Sequence, residues 1–236
     1  MTSAHAAEPG ARSSRTSVRW WIAAALAAFV ALYSLRYVVL GERAYVPELA
    51  ASFRARPWLI AAHTLFGPVA LLTGLANLLP ALRRPPRWAA HRWTGRAYAV
   101  AAVLTGAAGL GLSAFAAGGS ASRAGFAILA ILTIVTTARG YQAIRLGLVT
   151  VHREWMLRSY ALVFGAVTLR LWLPVLMVAY GGHFLPAYRW VAWLSWVPNL
   201  LLAEWMIRRG WHPRFRLDPG FVARGSRARS VETASR

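Results

Sequence analysis

Residues 58–82 read WLIAAHTLFGPVALLTGLANLLPAL. Across those twenty-five positions His63 is the one ionisable side chain. At ~1.5 Å per residue, a helix of that length exceeds the ~30 Å hydrocarbon core of a bilayer. The stretch therefore predicts a membrane-spanning helix. Five further apolar stretches of similar length flank it, at about 20–40, 96–117, 124–146, 155–180 and 188–207. The connections between them are short and leave no room for a soluble domain. The first stretch is longer than a signal-peptide core and has no clear small-residue cleavage site before Arg36, so it reads as a retained helix.

Composition agrees. Of 236 residues, 58% are hydrophobic and 14% charged. A soluble domain typically has about 45–50% apolar and about 25% charged residues. The 27 basic residues are all Arg and face only 7 acids, which gives a net charge of +20. Such a charge can mark a nucleic-acid binder. Here the arginines lie between apolar stretches and not along one polar face, so no nucleic acid is expected. The absence of Cys removes disulfides, thiolate metal sites and Cys nucleophiles.

Arginine placement predicts the topology, because short cytoplasmic loops carry the basic excess. With the N-terminus in the cytoplasm, the inner side receives Arg12, Arg15, Arg19, Arg83, Arg84, Arg87, Arg92, Arg96, Arg145, Arg153 and the tail from Arg208 to Arg236. The outer side receives Arg43, Arg54, Arg56, Arg123 and Arg189. Trp20, Trp21, Trp88, Trp93, Trp155, Trp205 and Trp211 mark the inner interface, and Trp58 and Trp190 the outer one. The expected fold is all-α: a six-helix transmembrane bundle over 19–212 with both termini cytoplasmic. Residues 1–18 and 213–236, rich in Ser, Ala, Arg and Gly, read as disordered tails. The basic C-terminal tail either lies on anionic headgroups or simply fixes topology.

A repeat is visible. His91-Arg92-Trp93 is followed by Arg96 and Tyr98, and His152-Arg153-Glu154-Trp155 by Arg158 and Tyr160. Each copy opens an inner-to-outer span, the third and the fifth. The spacing differs by one residue. The pattern predicts a duplicated hairpin, spans 2–3 and 4–5, forming a four-helix core flanked by spans one and six. Gly106, Gly109, Gly111 and Ser113 predict close helix packing in span three. Pro68, Pro174 and Pro198 are candidate kinks.

Ionisable side chains inside a span are costly and face the bundle interior or water. They form two layers. Arg36, His63 and Arg170 fall in the outer half. Arg139, Arg158 and Glu204 fall in the inner half, near His91 and His152. Glu204 is the one acid well inside a span, and Arg139 or Arg158 is its expected partner. Asn77 and Asn199 add neutral polar groups. The inner rim combines Arg92, Arg96, Arg153 and Arg158 with two inward-pointing helix N-termini, a setting that attracts phosphate or carboxylate. The topology rule alone would also place Arg there. His91 and His152 could hold a metal or haem b between them. His63 reads more simply as a hydrogen-bonded packing residue. No HExxH, G-x-S-x-G, Gly-rich phosphate loop or paired carboxylate motif is present.

Several motifs stand in order: His63 with Gly67-Pro68, the run His91 to Tyr98, His152-Arg153 with Trp155-Met156 and Arg158-Ser159-Tyr160, Leu169-Arg170, and Trp196 to Leu200 with Glu204-Trp205. This order resembles the bacterial membrane proteins grouped as domain of unknown function 2306, over residues 58–208. The resemblance implies a polytopic inner-membrane protein and no particular activity.

Three functional readings follow. In the first, the inner rim binds a small anionic ligand or haem b, with Arg92, Arg96, Arg153 and Arg158 gripping acidic groups and His91 and His152 ligating iron or exchanging protons. In the second, the protein is a cofactor-free transporter or lipid-binding protein. Arg36, His63 and Arg170 then line a path, and Glu204 with its Arg partner forms a gate. In the third, it is a structural partner of another membrane complex. The sequence leaves the oligomeric state open.

Overall fold

The computed structural model describes residues 18–83 and 85–210, without the side chain of Arg19. The tails assigned to 1–18 and 213–236, with Arg12, Arg15, Arg84 and Trp211, lie outside the described residues apart from Val18. The regular elements among the described residues are helical: α1 Val18–Val39, α2 Pro47–Arg54, α3 Pro57–Asn77, α4 Trp88–Ser113, α5 Ser120–Arg145, α6 Val149–Val163, α7 Gly165–Ala179, α8 Phe184–Leu194 and α9 Val197–Arg208. Short 3₁₀ turns cover Gly41–Ala44 and Pro80–Arg83.

Five helices are long and apolar enough to cross a membrane: Trp20–Val39, Pro57–Asn77, Trp88–Ser113, Ser120–Arg145 and Val149–Ala179, the last joining α6 and α7. The sixth expected stretch is two shorter helices, α8 and α9, interrupted at Ser195-Trp196. Proline explains the interruption. Pro198 has no N–H for the carbonyl of Leu194, and its ring crowds that carbonyl. Pro68 and Pro174 behave differently: α3 and α7 run through them unbroken.

Other edges move as well. The third helix begins at Trp88 instead of residue 96, and the fifth at Val149 instead of residue 155. Both polar starts are thus helical, and the hydropathy pattern had hidden this. Pro47 and Pro57 each open a helix, where a missing N–H costs nothing.

The burial pattern is that of a protein solvated by lipid. Large apolar side chains including Phe29, Leu32, Val100, Ile131, Val175, Val178 and Leu201 cover the outside. The centre is built from small and hydroxyl side chains such as Ala70, Ala101, Ala102, Thr137 and Ser159. Lipid tails are as apolar as Leu, so close contact between helices depends on small residues.

α3, α4, α5 and α6 close a ring by the contacts α3–α4, α4–α5, α5–α6 and α3–α6. These are spans two to four and the first half of span five, whose second half, α7, packs on α1 and α8 instead. α1 packs on α3 and α7, α8 on α5 and α7, and α9 on α6. Glycines allow the close approaches. A Cβ on Gly74 would stand 2.5 Å from Tyr160 and 2.6 Å from Tyr98, and one on Gly140 would stand 2.5 Å from Met156 Sδ. Gly106, Gly109 and Gly111 of α4 likewise face Ile134, His63 and Leu59.

Candidate functional site

The repeat can now be placed on helices. His91 is the fourth residue of α4, and His152 the fourth residue of α6. In each copy the Trp lies three residues before the Arg, and the guanidinium stacks on that ring: Arg96 on Trp93 at 4.9 Å and Arg158 on Trp155 at 4.8 Å. The extra residue after His152 turns this pair by roughly 100° around the helix, one step at 3.6 residues per turn. Arg96 consequently lies exposed on α4, while Arg158 faces α9.

There Arg158 forms a two-pronged ion pair with Glu204, Nε to Oε1 at 2.5 Å and Nη2 to Oε2 at 3.0 Å. Glu204 thus takes Arg158 as its partner. Arg139, the other candidate, is exposed and has no ion pair among the described residues. Arg92 is exposed as well, and Arg153 is half-buried.

The two inner histidines differ in their settings. His152 Nδ1 lies 2.7 Å from the Gly140 carbonyl, so it carries the proton and leaves Nε2 with a free lone pair. Burial leaves His91 Nδ1 without a hydrogen-bond partner. The two imidazoles are close enough for their charges to interact. No group of three or more His, Asp or Glu comes together in metal-binding geometry among the described residues. The inner layer therefore divides into a neutralised ion pair, a pair of imidazoles and outward-facing arginines.

Sequence reasoning missed the polar chain between the layers. Tyr98 Oη lies 2.6 Å from Ser159 Oγ, which lies 2.7 Å from Thr137 Oγ1. Thr137 donates to the Thr133 carbonyl at 2.7 Å. A hydroxyl has one proton. Ser159 must then donate to Thr137, and Tyr98 to Ser159. All three side chains are fully buried, and the chain joins α4, α6 and α5. Its signal in the sequence is the hydroxyl residue seven positions after each histidine.

The outer layer gathers on three helices. Arg170 of α7 donates to the Ala166 carbonyl at 2.8 Å and to Ser34 Oγ of α1 at 3.0 Å. Arg36 of α1 donates to Tyr37 Oη at 3.1 Å and lies over the Tyr33 ring at 4.0 Å. The two guanidiniums are within electrostatic range of each other, and Arg170 of His63. His63 and Thr105 clasp α3 to α4. The His63 Nδ1 proton points at the Thr105 carbonyl at 3.1 Å, and Thr105 Oγ1 donates to the His63 carbonyl at 3.2 Å. The His63 side chain keeps accessible surface beside this clasp.

No carboxylate serves these arginines among the described residues. Glu42 pairs with Arg54 at 2.9 Å and Glu204 with Arg158. Every partner of Arg36 and Arg170 is a carbonyl, a hydroxyl or a ring face.

A second polar cluster stands where the helices break. Gly165, at the α6–α7 junction, faces the Ser195 carbonyl at the α8–α9 junction. Thr168 Oγ1 donates to that carbonyl. Asn199 Nδ2 reaches Thr168 Oγ1 and the Ser195 carbonyl, each at 3.0 Å, and the Ala161 carbonyl at 3.3 Å. Side chains thus satisfy carbonyls at both breaks, as apolar surroundings require.

A helical bundle with an apolar exterior and an interior polar layer defines an integral membrane protein. The family profile described as "Predicted membrane protein (DUF2306)" matches residues 60–207. The chain belongs to that family. No curated protein and no solved structure matches it.

Proposed function

We propose that this is a six-span protein of the bacterial inner membrane, with both termini cytoplasmic, that binds a small anionic ligand in the outer half of its bundle without a cofactor. α8 and α9 together make the sixth span. The observation that carries the reading is the pair Arg36 and Arg170, two neighbouring guanidiniums with neutral partners only. Arg170 stands nine residues before the end of α7, about 14 Å deep at the ~1.5 Å helical rise. Charge at such depth is expensive unless it is paired. A carboxylate or phosphate would supply the missing partner, and arginine matches the geometry of both. This favours a transporter or lipid-binding protein over a site at the inner rim, where Arg158 already has Glu204 and Arg92 and Arg96 face outward.

The test is an intrinsic-fluorescence titration of the purified full chain with phosphate, small carboxylates and anionic lipids. At least one class should give saturable binding in the native protein, weakened tenfold or more in Arg170→Gln. No saturable response to any class would end the reading.

The inner histidines favour a second reading. His152 presents a lone pair at Nε2, and His91 has an unpartnered buried Nδ1 nearby. These two side chains would hold a haem b or a metal ion, which would supply redox chemistry when bound. An absorbance spectrum of protein expressed with ample haem, oxidised and then reduced, decides it. Absence of a Soret band excludes haem.

A further inference from the structure

A cleft of about 210 Å³ lies between α1 and α3, lined on α1 by Tyr37 and Val38, the two residues that follow Arg36. Its walls are largely apolar: Val38 on α1, and Ile60, Ala61 and Leu65 on α3. Tyr37 and Tyr45 complete it. The segment from the Gly41–Ala44 turn through α2 closes over this end of the bundle. Tyr45 packs edge-on against Phe53 with ring centroids 5.3 Å apart, and both rings contact Tyr37. Glu42 holds this cap to Arg54 and so leaves Arg36 unserved.

Tyr37 connects the two environments. Its ring lines the cleft, and its hydroxyl accepts the Arg36 guanidinium at 3.1 Å. Two unpaired cations at one end and an apolar slot at the other form a site with opposite demands. A free phosphate would satisfy the cations and leave the slot unused. A neutral hydrocarbon would do the reverse.

We propose that the occupant is an anionic glycerolipid, its phosphate on Arg36 and Arg170, and one acyl chain in the cleft between α1 and α3. This rests on the reading of Arg36 and Arg170 as an anion site. It adds the ligand class, and it makes the segment 41–56 the wall that holds the chain.

The experiment is native mass spectrometry of the full chain in detergent, with phosphatidylglycerol, phosphatidylcholine or inorganic phosphate added. Phosphatidylglycerol should be retained at least tenfold better than phosphatidylcholine, because both offer the phosphate to the guanidiniums but only phosphatidylcholine brings a quaternary ammonium that two arginines repel. Arg36→Gln and Arg170→Gln should each abolish most of that preference. Ala61→Trp, which fills the slot from an exposed position on α3, should also reduce retention by about tenfold. Circular dichroism of each variant establishes that it folds, and Arg92→Gln on the exposed face of α4 should retain lipid normally. If inorganic phosphate protects as well as phosphatidylglycerol and Ala61→Trp changes nothing, the lipid proposal is overturned while the anion site stands. If neither anion distinguishes the native chain from Arg170→Gln, the anion site itself falls.

Discussion

Tyr98 Oη donates to Ser159 Oγ across 2.6 Å, and each residue stands seven positions beyond a histidine that is fourth in its helix. The two copies of the His-Arg-Trp motif therefore meet through equivalent positions. One position carries a phenol and the other an alcohol, which makes one donor and one relay.

The relay predicts an order of stabilities. Tyr98→Phe removes one hydrogen bond and leaves Ser159 bonded to Thr137, at a cost of about 0.5–1.5 kcal/mol. Ser159→Ala strands the Tyr98 proton and a Thr137 lone pair at once. It should cost more, about 1–3 kcal/mol. Reversible unfolding in mixed micelles, followed by circular dichroism, measures the difference. Equal effects would contradict the donor order.

Glycine positions give a second comparison. Gly74→Ala forces a methyl group against Tyr98 and Tyr160, where overpacking typically costs about 1–3 kcal/mol. Gly95→Ala meets nothing within 4 Å on the same bundle and should be neutral or stabilising by up to about 1 kcal/mol. Thermal midpoints of the two variants in one detergent test this.

The Arg158–Glu204 pair joins α6 to α9 with side chains 18% and 31% exposed. That places it between surface pairs and fully buried ones, so removing either partner should cost roughly 1–3 kcal/mol. In a double-mutant cycle with Arg158→Gln and Glu204→Gln, the double variant should be less destabilised than the sum of the singles. Additive losses would mean that the pair contributes nothing as a pair.

The chain has no Cys, so single cysteines can report topology without a background. Gly119→Cys, between α4 and α5, should react with a membrane-impermeant maleimide in intact cells. Gly147→Cys, between α5 and α6, should react only after the membrane is opened. The reverse pattern would invert the proposed orientation.

Much of this architecture could be read from the sequence because bilayer thickness and the period of the helix leave few choices. The five long helices follow from apolar length, and the His91 and His152 repeat marks the matching ends of α4 and α6. The sixth stretch is apolar throughout, and hydropathy alone cannot see that Pro198 divides it. Two candidate partners of Glu204 stood at similar depth, but only helix rotation separates them. That rotation depends on where α6 begins, and its first turn is polar. The outer layer of Arg36, His63 and Arg170 was legible as residues at similar depth. Its lack of a carboxylate required knowing that Glu42 turns to Arg54. Tyr37, which joins the cations to the cleft, gave no sequence signal beyond being a tyrosine near the end of a span.

The two helix breaks lie at one level, side by side, with Thr168 and Asn199 bonded across them. Beyond that level α7 packs on α8, and before it α6 packs on α9. The chain thus exchanges neighbours at a single depth, and the hydrogen bonds of Thr168 and Asn199 fasten the exchange, so that Arg170 and the Arg158–Glu204 pair belong to separate helix pairings of one continuous span.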